Sequence, residues 1–119
     1  MARLARVVVP SCPHHVTQRG NRRQPVFFCD HDYADYIELM TAAKTEAQVE
    51  VWAYCLMQNH VHFVVAPKTV DGLRKFFGEA HRHYTRGINF REGWRGCLWQ
   101  GRFLSFVMDE RYHRTTAGE

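Results

Sequence analysis

The chain has no long apolar run. No stretch of its 119 residues approaches the roughly 20 consecutive apolar residues that cross a bilayer, so the sequence predicts no membrane-spanning helix. Its four cysteines are widely separated and form no Cys-x-x-Cys pair, which argues against a zinc site built from cysteines. No secretory signal precedes them, since the N-terminus holds Arg3, Arg6 and only a short apolar run. We therefore expect a cytoplasmic protein with reduced thiols and no membrane partner.

The chain also contains no internal repeat, no low-complexity segment and no obvious linker. What it does contain suits a single domain: 45% of the residues are hydrophobic and 13% are aromatic, enough to build a buried core. The formal charge is +4. This charge favours a polyanionic partner only weakly, because many basic proteins of this size bind nothing anionic.

Apolar periodicity predicts six elements in the order β-α-β-β-α-β. Alternating and β-branched patterns indicate strands, and apolar residues at helical spacing indicate two helices. The predicted strands are residues 13–19, 49–57, 60–66 and 102–108; the first helix covers 31–47 behind a cap at Asp30, the second follows a cap at Asp71, and 91–101 form a loop. This order predicts an α+β, ferredoxin-like fold, with a four-stranded antiparallel sheet and two helices on one face.

The most informative local feature is the run His60-Val61-His62, which follows a polar break at Gln58-Asn59. Alternate residues of a strand share a face, so the two imidazoles project together while their apolar neighbours point toward the helices. Two neutral imidazoles side by side can ligate a divalent ion, with a third protein ligand, water or a substrate phosphate completing its shell. Two surface histidines on a half-exposed strand would give the same pattern.

Three separated segments carry motifs of one known family. Residues 54–65 contain two histidines around a hydrophobic residue, residues 15–21 form a first strand and its exit, and residues 98–103 approach a fourth strand. These segments resemble the single-tyrosine HUH transposases of small bacterial insertion sequences, a group that includes the REP-associated tyrosine transposases. The resemblance runs from about residue 3 to about residue 112, with the motifs in the family's order.

The resemblance implies a mechanism and a set of partners. In this family the histidine pair holds Mg²⁺ or Mn²⁺, which polarises a scissile phosphate in single-stranded DNA, and a tyrosine attacks the phosphorus to form a covalent 5′-phosphotyrosine link. A second attack reverses the link and joins new ends. The resemblance therefore implies DNA transposition, with His60 and His62 as metal ligands, recognition of DNA hairpins, and a homodimer.

The end of the chain departs from the family pattern. In the family, the fourth strand leads into a helix that carries the nucleophilic tyrosine and an Asn or Gln that can be the third metal ligand. Here Tyr112 resembles an earlier tyrosine at the start of that helix, and residues 113–119 resemble nothing in the family. We therefore expect a transposase-like domain over 1–112 and a disordered tail, with the chain cut short by a frameshift or a truncation. Tyr112 is the candidate for a substitute nucleophile, because Tyr84 lies in the second helix on the opposite face of the predicted sheet.

Several arginines flank the turn after the first strand or the late loop with its tryptophans. Arginines supply phosphate contacts, and exposed tryptophans can stack unpaired bases, although we expect at least one tryptophan to lie in the core. The candidate DNA-binding residues are Arg19, Arg22, Arg23, Arg95 and Arg102. The sequence thus predicts salt-sensitive binding of single-stranded or hairpin DNA.

Two alternatives to an active transposase stay open. The first is a hairpin-DNA-binding remnant that keeps the fold and the metal pair but has lost catalysis. The second is a metal-dependent hydrolase unrelated to transposition, which has little support because no carboxylate cluster lies near the histidine pair. In each case an uncovered sheet face and an incomplete sheet edge favour a dimer.

Overall fold

The computed structural model describes residues 7–108, which form a four-stranded antiparallel sheet and two helices. The strands are β1 (His14–Arg19), β2 (Val49–Met57), β3 (His60–Pro67) and β4 (Leu104–Val107), and the helices are α1 (Asp30–Ala47) and α2 (Gly72–Glu92). The strands lie in the order β2-β3-β1-β4. The predicted α+β fold is confirmed. Neither α1 nor α2 has an apolar stretch that could cross a membrane.

One face of the sheet is buried under the helices because its strands alternate apolar and polar residues. Val16, Val61, Phe63 and Val65 are each at most 3% exposed, while their strand neighbours on β1 and β3 include half-buried polar side chains. The apolar face of α2 packs on this surface through Leu73, Phe76, Phe77 and Ala80. Burying side chains of this size stabilises the fold by about 1.5–3 kcal/mol each. Both histidines of the pair are thereby left on the other face.

The start of α1 differs from the sequence prediction. The helix begins at Asp30, so Asp30 is not its cap; Cys29 occupies the cap position and its side chain makes no capping hydrogen bond. Instead, Oδ2 of Asp32 accepts the N–H of Phe28 at 2.9 Å, and the same carboxylate binds Arg91 near the end of α2. A carboxylate inside the first turn therefore stabilises this helix end and ties it to the second helix.

The late connection is also placed differently. α2 continues to Glu92, so the loop predicted over 91–101 begins at Gly93, and β4 is shorter than the predicted strand over 102–108. Three glycines in this connection have positive φ values between 56° and 92°. That left-handed backbone ends the helix at Gly93 and makes the chain turn before the last strand begins at Leu104.

The exit of β1 is tied to the turn between β2 and β3. The N–H of Gly20 donates to the carbonyl of Asn59 at 2.8 Å, and the N–H of Val26 donates to the carbonyl of Gln58 at 2.8 Å. A Cβ atom on Gly20 would lie 2.2 Å from the carbonyl oxygen of Gln24, so only glycine fits there. These contacts fix the turn that introduces the histidine strand.

Candidate metal and nucleic-acid site

The candidate site lies on the sheet face that the helices leave uncovered. Directly opposed residues of an antiparallel sheet share a face, and the register pairs His60 with Arg19 and His62 with Thr17. On the other side of β1, Thr17 pairs with Leu104. Both histidines are half-buried. Strand pairing therefore brings the predicted metal ligands and one predicted DNA-binding arginine to one surface.

A groove of about 430 Å³ runs across this surface. Its lining includes four of the residues predicted from the sequence, namely Arg19, His60, His62 and Arg102. Gln100 lines it as well, and the N–H of Gln100 donates to the carbonyl of Arg19 at 2.9 Å, which ties the late connection to β1. The groove places two guanidinium groups beside two imidazoles, an arrangement suited to a phosphate lying over the histidines.

Each histidine of the pair has a partner at Nδ1. Nδ1 of His60 is 2.7 Å from Oδ1 of Asn59, and Nδ1 of His62 is 3.4 Å from Nε2 of His15. Within residues 7–108, no hydrogen bond reaches Nε2 of either ring. The two ring centroids are 4.9 Å apart. Adjacent imidazoles thus have their Nε2 atoms available.

The surroundings of His62 favour its neutral form. Burial lowers the pKa of His62 below its ordinary value, and the neighbouring imidazoles His60 and His15 lower this pKa further. Neutral imidazole is the form that ligates metal ions, so His62 is suited to hold a divalent ion beside His60. Across residues 7–108, no group of three or more His, Cys, Asp or Glu side chains is arranged to hold a metal ion. A divalent ion at the pair would need further ligands, such as water, a substrate phosphate or the amide oxygen of a side chain like that of Gln100, which lines the groove.

A second basic cleft, of about 570 Å³, lies beside the turn after β1. Arg22, Arg95, Phe28 and Trp94 are among its lining residues. The rings of Phe28 and Trp94 meet edge to face with their centroids 5.5 Å apart, and these residues are 40% and 47% exposed. Exposed aromatic rings beside arginines can stack unpaired bases and hold the adjoining phosphates. Arg23 is exposed on the same turn.

One family model matches most of the chain. It is described as Transposase IS200 like, and it matches residues 8–117. The chain belongs to this family. No protein with curated annotation matches this IS200-like chain in sequence.

Two solved structures resemble the IS200-like chain. A REP-associated tyrosine transposase bound to a REP hairpin superposes with a TM-score of 0.77 and 18% identity, over 98% of this chain and 68% of the other. A proposed transposase from Deinococcus radiodurans superposes with a TM-score of 0.67 and 18% identity, over 98% of this chain and 94% of the other. At this level of identity, the likeness confirms the fold.

The tyrosine nucleophile that the sequence resemblance implies requires a tyrosine beside the histidine groove. Of the five tyrosines in the sequence, the four within residues 7–108 lie away from the histidine groove. Tyr36 and Tyr84 are buried, and the Tyr84 hydroxyl donates to a backbone carbonyl 2.6 Å away. Tyr54 lies opposite a buried phenylalanine on the helix side of the sheet, and Tyr33 in α1 stacks on a core phenylalanine. The candidate nucleophile Tyr112 lies outside the described residues.

The sequence did not predict the two Nδ1 partners of the histidine pair, His15 and Asn59. His15 and Thr17 are two residues apart on β1, so a strand pattern places both on the same face. Only the pairing of β1 with β3 brings the ring of His15 to His62. The sequence indicates no more than a polar break at Asn59. Its side chain became a candidate only through its contact with His60.

Proposed function

We propose that this IS200-like family member acts in DNA transposition, by nicking and rejoining single-stranded DNA at hairpins with a divalent Mg²⁺ or Mn²⁺ held by His60 and His62. The observation that carries the proposal is the groove that joins this histidine pair, with both Nε2 atoms available, to Arg19 and Arg102. When bound there, the metal supplies positive charge that polarises a phosphate group. The chain's own residues hold the metal and the DNA backbone.

In this proposal the arginines contact the phosphate backbone of the DNA. Arg19 lies directly opposite His60 in the register, and Arg102 lines the same groove. A guanidinium group binds phosphate oxygens through two parallel hydrogen bonds, so the two arginines would orient a phosphodiester over the imidazoles. The contact carries no base specificity, because every nucleotide offers the same phosphate.

The second cleft supports recognition of unpaired bases. In the proposal one DNA strand occupies both clefts, because Arg19, which lines the histidine groove, is only three residues from Arg22, which lines the second cleft. A structural relative is bound to a REP hairpin. We extend hairpin binding to this chain as part of the proposal.

The covalent step requires a tyrosine. Its hydroxyl oxygen forms a bond to phosphorus, the bond from phosphorus to the 3′ oxygen breaks, and the phenolic proton balances the charge on the departing 3′-hydroxyl. Attack by a 3′-hydroxyl on the phosphotyrosine reverses the step and joins two ends. Tyr112 is the tyrosine of this chain that we propose for the role.

A second candidate function is hairpin DNA binding without catalysis. It is favoured by the placement of the four described tyrosines, which all lie away from the groove. In this version the histidine pair and the arginines still bind metal and DNA. The nucleophile would then come from another chain or be missing.

One assay separates the two functions. The purified chain is incubated with Mn²⁺ and an end-labelled hairpin oligonucleotide, and a covalent adduct is sought on a denaturing gel. An adduct that disappears in Tyr112→Phe and persists in Tyr54→Phe, a tyrosine 53% exposed on the other side of the sheet, supports the transposase and rules out the remnant. The double variant His60→Ala, His62→Ala should form no adduct. Binding without any adduct refutes self-sufficient catalysis.

We also propose that the chain forms a homodimer. β4 is an edge strand in the sheet order, and its Leu104, Phe106 and Val107 are 60%, 61% and 37% exposed. An edge strand with exposed apolar side chains is suited to pairing with a second chain. Sedimentation equilibrium should report twice the monomer mass, and a monomer at high protein concentration would contradict the proposal.

A further inference from the structure

Both imidazoles of the pair have a polar contact at Nδ1. We propose that Asn59 and His15 are positioning residues: each accepts the Nδ1–H of one imidazole, His60 or His62, and thereby keeps that ring's Nε2 lone pair free for a metal. This inference rests on the proposed function, because it assigns a role toward the same metal.

The contact at His60 determines which of its nitrogens bears the proton. The amide nitrogen Nδ2 of Asn59 donates to the carbonyl of Arg23 at 3.2 Å, so the amide oxygen Oδ1 is the atom that faces His60 at 2.7 Å. An amide oxygen only accepts hydrogen bonds, so Nδ1 of His60 must donate. A neutral imidazole has one N–H, and Nε2 is therefore left as an unprotonated acceptor.

The backbone around Asn59 is built to hold this geometry. Its carbonyl accepts the N–H of Gly20 at 2.8 Å, which anchors the turn from the opposite strand. The carbonyl of Arg23, which receives the amide, belongs to a turn in which Arg22 and Arg23 have φ values of 56° and 60°. Residues other than glycine seldom adopt this left-handed conformation, and such outliers gather at functional sites.

The contact at His62 is longer, and the proposal assigns it the same direction, with Nδ1 of His62 as the donor. Nε2 of His15 lies 3.4 Å from Nδ1 of His62, and the two rings are nearly parallel, at 9°. His15 is a diagonal neighbour, since the register pairs Thr17 with His62. If Nδ1 of His62 donates, His15 accepts at Nε2 and keeps its own proton at Nδ1. The longer distance predicts a smaller effect for His15 than for Asn59.

In both imidazoles the proposed contacts place the proton on Nδ1 and leave the Nε2 lone pair free to bind a metal ion. Metal-ligating histidines usually donate their second ring N–H to an outer partner, and loss of that partner lowers metal affinity by about 10- to 100-fold. Asn59→Ala should therefore weaken Mn²⁺ binding within this range. His15→Phe, which keeps a ring of similar shape but cannot accept, should weaken Mn²⁺ binding less.

The test uses the full chain and two measurements. Long-range ¹H–¹⁵N spectra of the histidine rings, recorded without metal at pH 8, report which nitrogen bears the proton; isothermal titration with MnCl₂ reports affinity. We expect His60 and His62 as Nδ1–H tautomers in the unsubstituted chain. Asn59→Ala should shift His60 toward the Nε2–H tautomer. Asn59→Asp should retain the Nδ1–H tautomer, because its carboxylate still accepts the hydrogen bond. The control variant Gln58→Ala, on the same turn, should change neither measurement.

Two results would overturn the inference. One is an Nε2–H tautomer at His60 in the unsubstituted chain, whatever its metal affinity. The other is unchanged Mn²⁺ affinity in Asn59→Ala while circular dichroism shows an intact fold. The proposed metal site fails separately if the unsubstituted chain shows the expected tautomers but binds neither Mn²⁺ nor Mg²⁺. In that case Asn59 and His15 also lose their proposed role toward a metal.

Discussion

Lowering the pH from 7 to 5 should destabilise this fold through one buried imidazole, that of His81. The side chain lies on α2 against the rings of Tyr36, Phe77 and Trp99 and is 9% exposed. The Tyr36 hydroxyl lies 2.7 Å from its Nε2, and its ring stacks on the indole of Trp99 at 4.2 Å between centroids and 11° between planes. The buried Trp99 also confirms the expectation that one tryptophan belongs to the core.

Burial lowers the pKa of His81 from 6.5 to about 3. Below pH 6.5 the unfolded chain binds a proton at this histidine while the folded chain does not, so a fall in pH favours unfolding until about pH 3. Each pH unit in that window lowers the free energy of unfolding by up to about 1.4 kcal/mol. Between pH 7 and pH 5 the contribution of His81 comes to about 2 kcal/mol.

The assay is urea unfolding at pH 7 and at pH 5, followed by circular dichroism. His81→Gln keeps a hydrogen-bonding group for the Tyr36 hydroxyl, since its amide can donate or accept, and removes the titrating group. The unsubstituted chain should lose about 2 kcal/mol more than this variant between the two pH values. His81→Phe should show the same loss of pH dependence with a lower stability at both pH values, because the hydroxyl of Tyr36 is then left without its hydrogen-bond partner. Equal pH dependence in all three chains would refute the reasoning.

Two further predictions concern the groove and the helices. Arg19→Ala and Arg102→Ala should each weaken binding of single-stranded DNA, because each removes about one phosphate contact. The slope of log K against log salt should become shallower by about 0.7 in each variant. Arg74→Ala, at an exposed position on α2, is the matched control. Unchanged slopes for the two groove variants in anisotropy titrations would contradict the assignment. Asp32→Ala should lower the free energy of unfolding by about 2–3 kcal/mol, because Arg91 and a backbone N–H lose the buried carboxylate that accepts their hydrogen bonds. A loss below about 0.5 kcal/mol in urea unfolding would show that the charge pair contributes little.

Local periodicity was enough to predict much of the fold. Strand alternation placed His60 and His62 on one face and their apolar neighbours on the other, and the sheet has that arrangement. The errors lie at the ends of elements, where periodicity carries little information. Asp30 begins α1 because the carboxylate of Asp32 stabilises the first turn from inside the helix, a contact that no capping pattern reveals.

The sequence by itself determined the order of the elements, the family motif and the side chains that could ligate a metal, because each depends on residues close together in the chain. Only the tertiary structure decided which ring nitrogens stay available and which cations surround them. Asn59 is next to His60, but its amide is oriented by the carbonyl of Arg23. His15 and Arg102 reach the histidines through the pairing of β1 with β3 and the return of the late connection to β1. Such contacts join segments far apart in sequence, and no local pattern specifies them.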